Sequence, residues 1–222
     1  MDQTNKKFFD AAAEGDLGTV STTVNQGADV NIANGDGRTA LMRSAKRGYE
    51  DIVRYLIDQG ADINLVDKNN KTALMGAAKK GHLAIVRMLI QANADVNAVD
   101  KNGRSSLMRA AFLGQTEVVE LLIEYGADVN KADEMGRTAL MEACVAFRMD
   151  VIEVLVKAGA DVNKQDKNGC SALMRASYSG YLELIQYLLA QGADKEQVDN
   201  EGNKAIHYVR EHNFADLKQY LK

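Results

Sequence analysis

The side chains best suited to chemistry in this chain are three histidines, two cysteines and a column of five methionines. No two of His82, His207 and His212 have metal-ligand spacing, and no cysteine joins them, so no metal site is expected. Neither Cys144 nor Cys170 has a positioned histidine beside it in the pattern, which argues against a nucleophilic thiol. Cys144 stands where a core alanine recurs and reads as a small buried hydrophobe; Cys170 falls in a turn and is expected to be an exposed thiol. Met42, Met75, Met108, Met141 and Met174 recur every 33 residues, and each follows a leucine. That is helical core spacing, not a ligand set. Paired carboxylates such as Glu117 and Glu120 fall on an outward helix face and read as solvated surface. The glycines punctuate a repeat and make no phosphate-cradling loop. Catalytic residues, metals and cofactors are therefore all expected to be none.

What positions these residues is the repeat itself. Leu41, Leu74, Leu107, Leu140 and Leu173 mark it, with Ile206 in the sixth turn. A second series, Gly60-Ala61-Asp62, Asn93-Ala94-Asp95, Gly126-Ala127-Asp128, Gly159-Ala160-Asp161 and Gly192-Ala193-Asp194, runs in step with it. A fixed period of this size belongs to units that pack on their neighbours. Within residues 100–132, Asp100-Lys101-Asn102-Gly103 is turn chemistry and Ser105 offers an N-cap hydroxyl. Leu107, Ala110 and Ala111 then give a short helix its apolar face, and Gly114 ends that helix in the left-handed region. A second helix follows, with Val118, Val119, Leu122 and Ile123 inward, Glu117, Glu120 and Glu124 outward, and Gly126 closing it. Such a unit cannot bury its faces alone, so stacking is obligatory.

This turn, helix, helix, loop pattern resembles the ankyrin repeat, whose signature runs turn–Gly–x–Thr–Pro–Leu–His–x–Ala–Ala, then Gly, a Val/Leu-rich helix and Gly–Ala–Asp–Val–Asn. The resemblance covers essentially the whole chain. It implies an all-α, ankyrin-type α-solenoid of about seven stacked helix-turn-helix repeats with short β-turn tips, in a single domain over residues 1–222. The expected units are an N-terminal cap at 1–33, full repeats at 34–66, 67–99, 100–132, 133–165 and 166–198, and a C-terminal cap at 199–222. At about 10 Å per helix layer the stack would run about 70 Å along its curve. Lys6, Lys7, Asp10 and Glu14 at one end, and Lys218, Gln219 and Lys222 at the other, fit capping faces that meet water. Lys195-Glu196 replaces Val-Asn and marks the end of the regular array.

The chain departs from the family pattern in three ways. It has no proline: Ala40, Ala73, Ser106, Ala139 and Ala172 occupy the helix-opening position. Each site then leaves the unfolded chain more entropy, a loss of roughly 0.4–1 kcal/mol. Folding is expected to lack a slow prolyl phase. The family histidine survives only as His207, and methionine packing replaces its hydrogen bond elsewhere. Asn70 and Asn93 stand in for glycine, a mild change, whereas Phe147 occupies the inter-helix glycine position. A bulky residue there either reshapes the loop by drift or serves as an aromatic anchor beside a groove.

In ankyrin-like stacks the tips and first helices line a concave side. Here the tips hold Arg38, Lys68, Lys71, Lys101, Arg104, Arg137 and Lys167, against Asp36 and Glu134. The first helices hold Arg43, Lys46, Arg47, Lys79, Lys80, Arg109 and Arg175, against Glu142 as an exposed acid. An acidic protein, with net charge −4, is thus expected to present a basic groove. Further along, the helix-end positions change to Phe112 and Leu113, then Val145, then Tyr178, which suggests an apolar contact patch.

The expected function is a non-catalytic module that binds a protein or peptide, with acidic and apolar segments, on this surface as a monomer. Binding of an anionic ligand, nucleic acid or phospholipid, by the basic groove is the alternative. Overall negative charge and few stacking aromatics make nucleic acid an unexpected partner. The opening residues, MDQTNKKFFDAAAEG, contain no long apolar run, so neither membrane association nor a signal peptide is expected. A cytoplasmic location is the corresponding expectation, consistent with only two cysteines.

Overall fold

Four repeats begin with a hydroxyl that caps the first helix. Thr39, Thr72, Thr138 and Ser171 accept from the amides of Met42, Met75, Met141 and Met174. This satisfies a donor that a helix N-terminus would otherwise leave unpaired. The computed structural model describes residues 2–211 and 214–222. His212 lies outside the described residues.

The chain divides into two compact units, Met1–Ser106 with Glu124–Ala127, and Leu107–Ile123 with Asp128–Lys222. The first unit contains α1 (Gln3–Glu14), α2 (Leu17–Asn25), α3 (Ala40–Arg47), α4 (Glu50–Asp58), α5 (Ala73–Lys80) and α6 (Leu83–Gln91). There α3 packs on α1 and α5, and α4 packs on α2 and α6. The next repeat supplies α7 (Ser106–Leu113) and α8 (Thr116–Glu124). The second unit continues with α9 (Ala139–Val145), α10 (Met149–Lys157), α11 (Ala172–Ser179), α12 (Leu182–Ala190), a 3-10 turn at Ala205–Tyr208 and α13 (Phe214–Leu221). In it α11 packs on α9 and on the 3-10 turn. Among the described residues there is no strand, only isolated bridges that close tips, such as Ala33 with Thr39 and Gln165 with Ser171.

The repeating leucines and methionines form the core. Leu74, Leu107, Leu140 and Leu173 are buried together with Met75, Met108, Met141 and Met174. Each such side chain contributes roughly 2 kcal/mol of transfer free energy. Cys144 joins this core as expected, and burial pushes its thiol up to about 12. In α8 the inward set differs by one residue from expectation: Leu121 is buried and Ile123 only partly so. Glu117, Glu120 and Glu124 face outward as expected. In the last repeat Ile206 is half-buried on the 3-10 turn, which stands where the first helix stood in earlier repeats.

Two hydrogen-bond ladders join successive repeats within each unit. In the first unit Asn64 accepts from the Asp95 amide and donates to the Asn93 carbonyl. In the second, Asn130 accepts from the Asp161 amide and donates to Gly159, and Asn163 repeats this with Asp194 and Gly192. At the tips, the Lys68 amide donates to the Asp36 carbonyl in the first unit and the Lys167 amide to the Met135 carbonyl in the second. Gly136 permits the latter approach, because a Cβ there would lie 2.9 Å from the Lys167 nitrogen. Glu196 ends the asparagine series, and its carboxylate pairs with Lys204 at 2.6 Å.

Candidate binding faces

Five aspartates, absent from the expected tip charges, organise the turns. Asp67, Asp100, Asp133, Asp166 and Asp199 are all buried, and one oxygen of each accepts two backbone amides of its own turn. The second oxygen is available to a side chain. Asp67 lies 3.6 Å from the Arg38 guanidinium, which also reaches Asp36. Asp133 accepts from Arg137 at 2.9 Å, and Asp166 pairs with Arg175. Their 33-residue spacing was a signal that sequence reasoning could have used.

These pairs correct the expected charge balance. Glu142 is buried, not exposed, and lies 3.5 Å from Arg137. Arg137 is therefore tied to two carboxylates and is no independent tip cation. Glu142 and Arg175, at equivalent positions near the start of a first helix, each reach back to the tip of their own repeat. Arg43 instead places its guanidinium 4.8 Å from the centre of the Phe9 ring.

The ends of the first helices project further. In the first unit Lys46 and Arg47 end α3, and Lys79 and Lys80 end α5; all four are exposed. A cation in a last turn also complements the helix dipole, so part of this pattern is local stabilisation. Arg38 and Lys71 are exposed on the tips of the same unit, and Arg104 is half-buried.

In the second unit the equivalent positions are apolar. Phe112 is 40% exposed, Val145 46% and Tyr178 53%, whereas Leu113 is half-buried. Arg210 stacks on the Tyr178 ring with its guanidinium carbon 4.2 Å from the centroid. The last-turn carbonyl of Phe112 accepts from the Arg148 guanidinium at 3.3 Å.

Phe147 takes φ +50° in place of the left-handed glycines. Its ring stacks on Tyr181 with centroids 3.9 Å apart and planes 13° from parallel. At three turns the residue that follows the left-handed position covers the glycine one repeat earlier. A Cβ on Gly15 would meet the Tyr49 ring, one on Gly48 the His82 ring, and one on Gly114 the Arg148 side chain. Tyr181 occupies that covering position over Phe147. Sequence reasoning missed Tyr181 because the covering register is 34 residues, one more than the repeat.

The remaining chemical candidates are accounted for locally. His82 stands at the N-cap of α6, with Nε2 3.2 Å from the Lys46 carbonyl. His207 Nδ1 accepts from the Lys204 amide at 2.9 Å. Cys170 is not the exposed thiol expected. It is half-buried, with Sγ 3.1 Å from the Tyr208 hydroxyl, which in turn donates to Asp199. Among the described residues no three histidine, cysteine or acidic side chains converge on a metal position. No helix there is long and apolar enough to cross a membrane.

Known proteins give the same picture. The family described as ankyrin repeats (3 copies) matches residues 8–100, 93–166 and 146–222. The ankyrin repeat domain of Bcl-3, a unique member of the IkappaB protein family, superposes with a TM-score of 0.83 at 27% identity, covering 96% of this chain and 97% of that one. The human ASB11 ankyrin repeat domain shares the fold, with a TM-score of 0.85 at 24% identity over 96% of each chain. No curated protein sequence is significantly similar to the chain. With successive capped helix pairs, buried tip aspartates and family matches that together run from residue 8 to residue 222, the chain belongs to the ankyrin repeat family, whose domains generally mediate protein–protein interaction.

Proposed function

We propose that this chain is a monomeric, non-catalytic single domain that binds a protein or peptide through its tips and the ends of its first helices. The observation that carries the reading is the exposure of Phe112, Val145 and Tyr178 where the first unit exposes lysine and arginine. Isolated surface apolar residues are ordinary, but the same position left apolar in consecutive repeats is a patch. Large aromatics at such a patch are favoured anchors. In the first unit Lys46, Arg47, Lys71, Lys79 and Lys80 suit an acidic segment, whose attraction speeds association and weakens with salt. In the second unit the apolar residues suit an apolar segment and set residence time. Arg38, Arg104 and Arg137 contribute less than their charges suggest, because Arg38 and Arg137 face carboxylates and Arg104 is half-buried. Phe147 belongs to this reading as a stacked aromatic at the edge of the patch.

Affinity capture from the native source tests it, with wild type compared against Phe112→Ala/Tyr178→Ala and Lys46→Glu/Lys79→Glu. Loss of the same partner from both variants is expected. Retention by both removes these faces from the account. Sedimentation is expected at the 24.2 kDa of one chain. Titration with labelled oligonucleotide and with anionic vesicles at low salt tests the anionic-ligand alternative. Saturable binding with a steep salt slope would favour that alternative.

A further inference from the structure

Three of the exposed apolar residues of the second unit form a column. Phe112, Val145 and Tyr178 hold the same position on α7, α9 and α11, 33 residues apart. One border of the column is charge-balanced, since Arg137 pairs with Asp133 and Glu142, and Arg175 with Asp166. The other border carries half-buried Leu113 beside Phe112 and narrows to Ala146 and Ser179 at the next two helix ends. From Val145 to Tyr178 the column is thus about one side chain wide. At Tyr178 it meets Arg210, whose guanidinium is stacked on the ring.

We infer that this column is a track for an extended peptide segment with an apolar side chain at every third position and a carboxylate just beyond the last. The inference rests on the binding role proposed above for the same residues and adds the conformation and sequence pattern of the ligand. Packed helices lie about 8–10 Å apart, which sets the spacing of successive apolar residues along the column. A polyproline II segment rises about 3.1 Å per residue with three residues per turn, so every third side chain recurs after about 9 Å on the same side. An α-helix covers that distance in about seven residues, but the apolar stripe of a helix is wider than one column. The outer apolar residues of such a stripe would lie against the ion pairs beside this column instead of against apolar side chains. Aromatic-lined grooves suit polyproline II segments because those are already ordered before binding. A guanidinium stacked by its face still presents N–H groups along its edge, and these suit a carboxylate.

The probe is a phage-displayed library of random peptides about sixteen residues long, which leaves room for two helical heptads. Peptides are selected on the full chain and sorted against Phe112→Ala and Tyr178→Ala, singly and together. Circular dichroism confirms that each variant keeps its helices. The expected peptides lose about tenfold or more in affinity on Tyr178→Ala and carry apolar residues three apart with an acidic residue after the last. Arg210→Gln is expected to weaken them severalfold, and more so at low salt. Aromatic-dependent peptides with heptad spacing, or with no acidic residue, would overturn the extended track and leave the binding face in place. A selection that yields no peptide dependent on Phe112 or Tyr178 would overturn both.

Discussion

Phe147 holds φ +50° at the point where Gly48, Gly114 and Gly180 make the same turn. A left-handed backbone costs a residue with a Cβ about 1–2 kcal/mol. A stacked aromatic pair returns about 0.5–1.5 kcal/mol beyond the area it buries. The two terms nearly cancel, which explains how the turn keeps its shape without glycine. Phe147→Gly is therefore expected to change stability by less than about 1 kcal/mol, because relief of the backbone offsets loss of the stack. Tyr181→Ala loses the stack with no such relief, and is expected to cost about 1–2 kcal/mol in wild type and less in the Phe147→Gly background. Thermal unfolding of the four proteins measures the coupling; additive costs would show that the rings touch without supporting one another. At this scale the sequence was legible where a residue acts within its own repeat. Met75, Met108 and Cys144 are buried as their positions imply. It was not legible where a side chain reaches across to another turn. Tyr181 over Phe147 and Tyr208 against Cys170 depend on directions that spacing alone does not give.

The tip is an element of its own, built on an aspartate that closes it from inside. Asp199 accepts from the amides of Glu201 and Asn203 and from the Tyr208 hydroxyl. Hydrogen bonds to the charged form, that of Tyr208 first, hold its carboxyl down at about 2. Half-burial, and then the bond to Asp199, push the Tyr208 hydroxyl above its usual range, so it remains a donor at neutral pH. A carboxyl lower in the folded than in the unfolded chain favours folding fully above the unfolded value of about 4. That contribution is lost as pH falls from about 4 towards 2. Amides of residues 199–211 are expected to lose hydrogen-exchange protection over this window. Tyr208→Phe removes the leading hydrogen bond, so the loss is expected at higher pH, with the Asp199 carboxyl titrating closer to 4 by carbon-detected NMR. An unchanged Asp199 titration would show that the backbone amides alone hold it. The turn at this place was plain in the sequence from Asp, Asn and Gly together. The 3-10 turn at Ala205–Tyr208 was not, because the leucine-type position is still filled, by Ile206.

At the scale of the whole chain the pattern of repeats was the most legible property, because 33-residue periodicity is written in every repeat and needs no long-range inference. The binding faces were legible only in part. The exposed lysines and the apolar column lie where helix periodicity puts them, yet the net charge of a tip depends on carboxylates that sit inside it. The absence of proline also acts at this scale, since it removes the slowest ordinary step from folding. Prolyl bonds equilibrate in tens to hundreds of seconds in an unfolded chain, roughly, and return later as slow refolding phases. This chain has no such bond. Alanines at the helix-opening positions make the unfolded ensemble broader, which lowers stability without adding that barrier. Double-jump refolding distinguishes the two effects. Protein unfolded for seconds and protein unfolded for an hour are expected to refold with the same amplitudes and rates. Appearance of a slow phase that grows with time spent unfolded would mean that something other than proline, such as misdocking of near-identical repeats, limits the return to the native state.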